Sequence, residues 1–420
     1  MIPRKVYYFD NNATTRIAPE VVDAMIPFLR DLWGNPSSAY FFGSQVGKHV
    51  EDARKQVAAL INADPKEIVF TSCGTESNNS AIHSALVTNP GKRHVITTAV
   101  EHSANINFGE YLRKMGFEVT FLPVEPDGSL DVHLLEKTIR PDTAIVSVMY
   151  ANNETGVIFP IEEIAAICRS KGVLFHTDAV QTPGKLKLDV KNLGCDFLSL
   201  SAHKLHAPKG IGCLYVKRRT KYQPYVIGGH QERGKRGGTE NVANIVAFGR
   251  AAELVMDKLN EENTRVRGLR DRLENTILAT IPNTIRNGAK ESRLPNTTNI
   301  AFEFVEAEAI LLLLDGLGIC ASSGSACTTG SLDPSHVLTA MGLSPMRARG
   351  CVRFSLGIYN TDEEVDYLLK HLPPIIKRLR DISPLNPSHP DNDKYDIEAA
   401  REKHEQGLAE AMADKDEKAA

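Results

Sequence analysis

Between about residues 65 and 220, short and continuously apolar runs alternate with amphipathic segments. Apolar runs without polar interruption are typical of strands buried on both faces of a sheet. The segments between them repeat apolar residues every three or four positions, as 161–171 does with Ile164, Ala165 and Cys168. That spacing predicts helices. The predicted strands are 68–71, 94–98, 119–122, 144–148, 173–177, 197–200 and 213–216.

Strands that alternate with helices indicate an α/β fold, in which a mainly parallel sheet is covered by helices on both faces. Such sheets bind ligands in the crevice outside the carboxyl ends of their strands. The polar residues that directly follow the predicted strands are therefore the candidates for chemistry.

A second, smaller α+β domain is predicted after the sheet. A long helical pattern at 244–281 leads to it, and its strands and helices are predicted at 299–304, 307–317, 352–356 and 362–379. The last residues are rich in proline and charge and poor in large apolar side chains, which favours a flexible tail. The predicted units are an N-terminal segment packed with the small domain (1–20), the large domain (21–250), the small domain (251–383) and the tail (384–420).

Charge and composition narrow the function classes. The 420 residues carry a formal net charge of -3, which favours neither nucleic acid nor a membrane surface as the main partner. The most apolar run, 309–314, is too short to cross a bilayer, and the first residues do not resemble a signal peptide. A cytoplasmic protein is therefore expected.

Seven cysteines are scattered along the chain without a C-x-x-C pair, so neither a disulfide framework nor a zinc site is indicated. Most of them lie in apolar runs and are expected to be inert core residues. The exception is Cys327, which lies among serines, glycines and threonines at 322–331. A loop of this composition can move, which a reactive thiol would need.

The run Ser201-Ala202-His203-Lys204 follows the predicted strand 197–200. A lysine amine there can form a Schiff base with an aldehyde cofactor, and the serine and histidine can donate to a phosphate. Alone this signal is weak, because a lysine after a strand is more often a solvated surface residue.

A second cluster follows the strand 173–177, where Asp178 and Gln181 stand three positions apart. A carboxylate there can pair with the protonated ring nitrogen of pyridoxal phosphate, and Gln181 can reach the ring hydroxyl. The alternative is that Asp178 caps the start of a helix.

Three other strand ends add to the pattern. After 68–71, Gly74 and Thr75 open a helical segment and offer an anion site, although Thr75 to Asn78 also resembles an imperfect capping box. His102 could stack on a ring or move protons, and Asn153 follows the strand 144–148. Five strand ends thus supply the residue types that pyridoxal phosphate needs.

These motifs resemble those of the cysteine desulfurases, and within them of the NifS type. The resemblance covers about residues 6–380, and the tail has no counterpart. The segments that carry it are Asp10-Asn11-Asn12-Ala13-Thr14-Thr15, Asn35-Pro36-Ser37-Ser38, Thr75-Glu76-Ser77-Asn78, Glu101-His102, Ala151-Asn152-Asn153-Glu154-Thr155-Gly156, Asp178-Ala179-Val180-Gln181, Ser201-Ala202-His203-Lys204, Gly228-Gly229-His230-Gln231-Glu232-Arg233-Gly234, Gly237-Gly238-Thr239-Glu240 and Ser322-Ser323-Gly324-Ser325-Ala326-Cys327.

The resemblance implies a homodimer of the class-V aminotransferase type, with the pyridoxal-phosphate transferase fold of type I and a mainly parallel seven-stranded sheet. It places the cofactor on Lys204, stacks His102 on the ring, and gives the ring nitrogen to Asp178 and the ring oxygen to Gln181. The residues it implies around the phosphate are Gly74, Thr75, Ser201, His203 and, from the other subunit, Thr239.

The resemblance also implies that Asn153 and Arg353 hold the substrate carboxylate. An arginine suits this task because its planar fork can bind a carboxylate with two hydrogen bonds. The alternative for Arg353 is a surface arginine on an edge strand.

By the same resemblance, Lys204 and His102 move protons while Cys327 attacks the sulfur of bound L-cysteine. Alanine leaves, and the persulfide on Cys327 passes to an iron–sulfur scaffold protein similar to NifU, for nitrogenase maturation. A transient 2Fe–2S cluster could involve Cys327 during transfer. The loop resembles the branch that donates sulfur to scaffolds, since the Arg-x-Gly-His-His-Cys-like element of the other branch is absent.

Other functions are compatible with the same motifs. A housekeeping desulfurase or a selenocysteine lyase of the same fold would differ in its acceptor or in its preference for cysteine over selenocysteine. A non-catalytic scaffold that had lost the chemistry would lack Lys204, Asp178 or Cys327, and all three are present.

Overall fold

The computed structural model describes residues 5–323 and 334–386. The strands are β1 (Tyr7–Tyr8), β2 (Ile68–Thr71), β3 (His94–Thr98), β4 (Glu118–Leu122), β5 (Thr143–Ser147), β6 (Leu174–Asp178), β7 (Phe197–Ser201), β8 (Gly212–Val216), β9 (Thr284–Asn287), β10 (Thr297–Phe302), β11 (Ile319–Cys320), β12 (Ser322–Ser323) and β13 (Cys351–Ser355). The helices are α1 (Pro19–Arg30), α2 (Phe41–Leu60), α3 (Gly74–Thr88), α4 (Ser103–Lys114), α5 (Val132–Thr138), α6 (Ile161–Ser170), α7 (Val190–Leu193), α8 (Val242–Glu261), α9 (Arg267–Thr280), α10 (Ala307–Asp315), α11 (His336–Ala340), α12 (Pro345–Arg349) and α13 (Asp362–Asp381).

The large sheet has seven strands in the order β2-β8-β7-β6-β5-β3-β4. Pairing is parallel from β7 through to β4, whereas β8 runs antiparallel to both of its neighbours, β2 and β7. Each apolar run predicted as a strand is a strand of this sheet. The predicted α/β fold with a mainly parallel seven-stranded sheet is confirmed.

Both faces of this sheet are buried, which explains why its strands carry continuous apolar runs. On β2, Ile68 and Phe70 join the hydrophobic cluster on one face, while Val69 between them joins the cluster on the other. Side chains alternate in this way because successive residues of a strand point to opposite faces. Helices cover each face, and α6 packs Ile164 and Ala165 into the first cluster.

A second sheet of four strands is antiparallel in the order β12-β13-β10-β9. It has a hydrophobic cluster of its own, to which α9, α10 and α13 contribute. The N-terminal residue Phe9 lies in this cluster, and β1 pairs with β11 in parallel. These contacts accord with the predicted small domain and N-terminal segment, whose boundaries stay a prediction.

Two predicted elements differ from those observed. The helical pattern at 244–281 is divided by a π-helical turn, Glu262–Val266, where Asn263 donates one hydrogen bond to Lys185 O. The strand predicted at 299–304 ends at Phe302, because Phe304 has a φ of 68°, which an extended strand cannot continue.

Within residues 5–323 and 334–386, no helix is long and apolar enough to span a membrane. The expected cytoplasmic location stays a prediction. The predicted tail lies outside the described residues except for 384–386.

Candidate active site

A cavity of about 290 Å³ lies at the carboxyl ends of the parallel strands. This is close to the lower end of the size range of ligand sites, roughly 300–1,000 Å³. The structure brings most of the predicted site residues together here. Those that line it are Gly74, Thr75, His102, Asn153, Asp178, Gln181, Ser201, His203, Lys204 and Arg353.

Lys204 ends a single 3-10 turn that directly follows β7. Its Nζ donates to the backbone carbonyls of Asn12 and Ala13, at 2.8 Å in the second case. The N-terminal segment is in turn held to this turn, because Thr15 N donates to His203 O at 2.9 Å. The amine is thus oriented by backbone groups of a segment distant in sequence.

Asp178 is buried at the end of β6. Its Oδ2 accepts from Asn78 Nδ2 at 2.6 Å, and its Oδ1 accepts from Val180 N at 2.9 Å. The carboxylate therefore closes a local turn. No helix starts at this point, so the alternative that Asp178 is a helix cap is wrong.

The amino end of α3 meets the cavity at Gly74 and Thr75. Its N-cap is Cys73, whose Sγ accepts from Glu76 N at 3.5 Å, so Thr75 is not the cap. A Cβ at Gly74 would lie 2.9 Å from a methyl group of Val180. Val180 can therefore pack against this helix end only because residue 74 is glycine. The first N–H groups of a helix have no intrahelical partner, so the amino end of α3 can offer them to an anion.

His102 is the N-cap of α4, where its Nδ1 accepts from Ala104 N at 3.1 Å. Because Nδ1 is an acceptor, the neutral ring carries its hydrogen on Nε2. Burial lowers the pKa of His102, Lys204 and His336 lower it further, and Asp178 opposes them. The ring is therefore neutral at physiological pH.

His203 stands beside Lys204, and its Nδ1 lies 3.2 Å from Thr14 Oγ1. Burial lowers its pKa to about 4, and the neighbouring Lys204 acts in the same direction. A neutral imidazole at this place can donate a hydrogen bond to a phosphate oxygen.

Arg353 lies in β13, between β12 and β10, and is only 4% exposed. The alternative of a surface arginine on an edge strand is therefore wrong. Its Nη1 donates to Asn153 O at 3.0 Å and its Nη2 to Asp10 Oδ1 at 2.6 Å. Its Nε is buried and has no hydrogen-bond partner among the described residues.

Glu101, the residue before His102, supports the site, and no role was predicted for its side chain. It is fully buried, and its carboxylate accepts from Met149 N, Thr98 Oγ1 and Asn105 Nδ2. Burial raises the pKa of Glu101 to about 8. Its backbone carbonyl accepts from His336 Nε2 at 2.8 Å, so α11 is fixed next to His102.

Three further supporting residues were missed as individuals. The backbone carbonyl of Asn12 accepts hydrogen bonds from Lys204 Nζ and from Gln181 Nε2. Asn78 donates a hydrogen bond to Asp178, and Asp10 accepts one from Arg353. The sequence did signal them, because polar runs follow β1 and β2 directly.

Two predicted residues are not among the described residues that line this cavity. Cys327 lies outside the described residues. Thr239 lines a separate cavity of about 140 Å³ together with Ser72 and Arg236.

One cysteine expected to be inert does line the site. Cys73 contributes to the cavity wall as the N-cap of α3. Four others are buried as predicted, and burial raises the pKa of Cys168, Cys195 and Cys351 to about 12, so these thiols stay protonated. In the part of the chain that the structure describes, no cluster of three or more His, Cys, Asp or Glu side chains could hold a metal ion.

The cavity fits pyridoxal phosphate. An amine (Lys204), a carboxylate (Asp178) and a helix terminus without side-chain bulk (Gly74) meet around it. Gln181 Oε1 and Asn78 Oδ1 are buried and have no hydrogen-bond partner in the described ranges. Buried polar atoms seldom lack a partner, so these two mark positions where a polar ligand would bind.

Comparison with known proteins supports the same assignment. The model of the aminotransferase class-V family matches residues 7–368. Cysteine desulfurase 2 of Trichormus variabilis is 54% identical over 397 residues, which are 94% of this chain and 98% of that protein.

The cysteine desulfurase NifS of Azotobacter vinelandii is 53% identical over 378 residues, covering 90% of this chain and 94% of that one. A solved structure of a NifS-like protein superposes with a TM-score of 0.84 at 40% identity, over 89% of this chain and 99% of the other. The chain therefore belongs to the aminotransferase class-V family and, within it, to the pyridoxal-phosphate-dependent cysteine desulfurases of the NifS type.

Proposed function

We propose that this protein removes sulfur from L-cysteine, releases L-alanine and carries the sulfur as a persulfide on Cys327. The observation that supports this most strongly is the meeting of Lys204, Asp178 and Arg353 around one cavity. An amine for the cofactor, an acid for its ring and a cation for a carboxylate are the groups that chemistry on an amino acid requires.

Lys204 would hold the cofactor covalently, with Asp178 at its ring nitrogen and Gln181 at its ring oxygen. The α3 terminus at Gly74 and Thr75, together with Ser201 and His203, would hold the phosphate, and His102 would stack on the ring. When bound, the cofactor supplies an electron sink that stabilises negative charge on the substrate carbon.

Arg353 and Asn153 would bind the substrate carboxylate. Asp10 occupies one side of the guanidinium and compensates its buried charge until substrate arrives. The N–H groups that remain can form a two-pronged contact, which fixes the orientation of the amino acid.

Lys204 Nζ would move the α-proton, and the neutral His102 would assist it. The His102 ring is held by its bond from Ala104 N, so its Nε2 keeps the hydrogen that it can donate. Efficient proton transfer needs groups fixed within hydrogen-bonding reach, as the backbone contacts of both side chains provide.

Cys327 Sγ, as a thiolate, would form a bond to the substrate sulfur while the Cβ–S bond breaks. The electron pair stays on the carbon fragment, which takes up a proton at Cβ and leaves as alanine. The persulfide would then pass to an iron–sulfur scaffold protein similar to NifU, serving nitrogenase maturation. A transient 2Fe–2S cluster touching Cys327 during transfer is part of the same proposal.

The protein would act as a homodimer in which Thr239 of each chain completes the phosphate site of the other. Two facts support this arrangement. Thr239 is exposed and lines a cavity different from that of Lys204 in its own chain. Its hydroxyl also has no hydrogen-bond partner among the residues that are described.

The test compares Cys327→Ser with Cys73→Ser, which changes a cysteine that lines the cavity in the described part of the chain. Cys327→Ser should bind the cofactor with an unchanged spectrum, yet produce neither alanine nor a persulfide, because a hydroxyl is a poor nucleophile toward sulfur. Cys73→Ser keeps a capping atom on α3 and should retain most of the activity.

The readouts are alanine release from cysteine and the mass of persulfide on the protein. Near-normal alanine release by Cys327→Ser would disprove direct attack by this thiol and favour a selenocysteine-lyase type of reaction. If Cys73→Ser lost alanine release and persulfide formation while Cys327→Ser kept both, the sulfur acceptor would be Cys73, the N-cap of α3.

A further inference from the structure

The segment Gln231–Gly234 has an unusual backbone. Three consecutive residues are left-handed: Glu232 with a φ of 48°, Arg233 with 58° and Gly234 with 75°. Left-handed conformations cost energy for residues with a Cβ, and they persist only where surrounding contacts enforce them.

The contacts that enforce this turn begin with a buried ion pair. Arg54 of α2 binds both oxygens of Glu232, at 2.7 and 2.8 Å, and both side chains are about 3% exposed. Glu232 Oε2 also accepts from Phe70 N at 2.9 Å. The pair is thus bidentate and further bonded to backbone, which is the geometry that a buried pair needs.

The same turn covers the free edge of the large sheet. β2 is its outermost strand, and Ile68 O, on the side away from β8, accepts from Arg54 Nη1 and from Arg233 Nη2 at 3.1 and 2.7 Å. The turn is therefore anchored to the large sheet by the ion pair and by hydrogen bonds to the backbone of β2.

Directly after this anchor the chain reaches Thr239. Arg236 binds both carboxylate oxygens of Glu76 on α3, at 2.9 and 3.1 Å. Gly237 N donates to Val226 O, and a Cβ at Gly237 would lie 2.6 Å from Gly228 Cα. The residues just before Thr239 are therefore held by contacts at Arg236 and Gly237, whereas Thr239 itself is exposed.

A buried ion pair contributes little net stability compared with apolar residues of the same size. The buried pair of Arg54 and Glu232 and the left-handed backbone at Glu232 both cost free energy of folding. They lie a few residues before Thr239, which is exposed and has no hydrogen-bond partner among the described residues. We propose that Arg54 and Glu232 are positioning residues that act in trans. They hold the 231–239 segment so that Thr239 reaches the cofactor phosphate of the other subunit. This inference rests on the proposed role of Thr239.

The test uses tagged heterodimers in which only one of the two chains keeps Lys204. The site of that chain can hold the cofactor covalently and is called the live site. In the first, one chain carries Lys204→Ala and its partner carries Glu232→Gln, so the live site receives Thr239 from a chain with an intact anchor. In the second, Lys204→Ala and Glu232→Gln are on one chain and the partner is wild type, so the live site receives Thr239 from the altered anchor. Both dimers contain the same two substitutions.

The readout is the cofactor trapped on Lys204 by borohydride across a titration of pyridoxal phosphate, which reports the live site alone. The half-saturation concentration should be about tenfold higher in the second dimer than in the first, as expected when a hydrogen bond to a charged group is weakened. Equal half-saturation in the two dimers, or a weaker first dimer, would overturn the proposal, because Glu232 would then serve no site or only its own chain.

Repeating both heterodimer arrangements with Thr239→Ala in place of Glu232→Gln tests the role of Thr239 separately from the positioning role of Glu232. If Thr239→Ala gives no difference between the two arrangements, the role of Thr239 in trans is wrong. If it gives the difference and Glu232→Gln does not, only the positioning role is wrong. Should Glu232→Gln fail to fold, Arg233→Met removes the bond to Ile68 O alone and is expected to give a smaller shift of the same sign.

A matched control is Glu274→Gln. Glu274 also forms a buried pair, with Arg293, but it lies in α9 near the second sheet. In the two arrangements it should give equal titrations. A difference as large as that of Glu232→Gln would show that any lost buried pair weakens the site, and the proposal would fall.

Discussion

The two sheets contribute to the cavity in different ways. The seven-stranded sheet supplies most of the polar lining, from the carboxyl ends of its strands and the loops that follow them, as with Asp178 at the end of β6 and Lys204 after β7. The four-stranded sheet supplies Arg353, which lies within a strand. The difference suggests a division of tasks, in which the large sheet holds the cofactor and the small one holds the substrate.

The N-terminal segment joins the two regions. Asp10 binds Arg353, while two residues farther along Asn12 O accepts from Lys204 Nζ. If the tasks are divided in this way, substitutions on the large sheet should alter the bound cofactor, and substitution of Arg353 should alter only substrate binding.

The largest effect is expected for Lys204→Ala. Removing the amine removes both the covalent hold on the cofactor and the group that moves the α-proton, so alanine production should fall about a thousandfold or more. Borohydride should no longer fix the cofactor to the protein. A variant that still gives a reducible covalent link, measured by mass, would show that another lysine holds the cofactor.

Asp178→Asn should come next. The amide oxygen can keep the bond from Val180 N, but the side chain loses the charge that pairs with the ring nitrogen, so kcat should fall about 10²- to 10³-fold. The absorption band of the bound cofactor should also shift. An unchanged spectrum with unchanged kcat would remove Asp178 from the cofactor site.

Arg353→Lys should affect the substrate alone. Lysine cannot reproduce the two-pronged contact, so KM for cysteine should rise about tenfold to a hundredfold, while the affinity for pyridoxal phosphate stays the same. Steady-state kinetics and a cofactor titration measure the two quantities. Arg293→Lys, at a buried pair outside the cavity, is the control and should leave KM unchanged. Weakened cofactor binding in Arg353→Lys would contradict the division of tasks.

The sequence predicted the large sheet well because its strands are continuously apolar and separated by clear helical patterns. It also predicted the residues at the strand ends, since parallel strands bring their carboxyl ends to one edge. In the second sheet β10 and β13 were predicted, but β9 and β12 were not, and neither was β11, which pairs with β1. These three strands are two to four residues long and β9 and β12 carry polar side chains such as Thr284 and Ser322, so they lack a periodic signal.

Supporting residues were missed for a different reason. Asn78, Asn12 and Asp10 act through contacts with residues 100 or more positions away in the sequence. A local pattern cannot show which distant carboxylate an asparagine will bind. The π-helical turn after α8 likewise coincides with a contact that is distant in sequence, the hydrogen bond from Asn263 to Lys185 O, which a local helical pattern does not show.

The smallest effect is expected where the two regions meet, at Glu154. Its backbone carbonyl accepts from Asn299 of the second sheet at 3.3 Å, and its buried carboxyl accepts from Ser335 Oγ at 2.6 Å. Burial raises the pKa of Glu154 to about 7, against the opposing effects of Ser335 and Arg353.

Between the pKa of an unfolded glutamate, about 4.3, and pH 7, the folded state holds a proton that the unfolded state has released. The stability from this group is therefore fully present below about pH 4 and is lost as the pH rises through 7. Glu154→Gln is neutral at every pH and can still accept from Ser335, so activity should change little. Its stability relative to the wild type should rise by about 1 kcal/mol or more from pH 5 to pH 8, measured by thermal unfolding of the holoenzyme. If the difference in stability between Glu154→Gln and the wild type were constant across this range, Glu154 would be ionised throughout. The charge of Arg353 would then offset the desolvation of the Glu154 carboxylate.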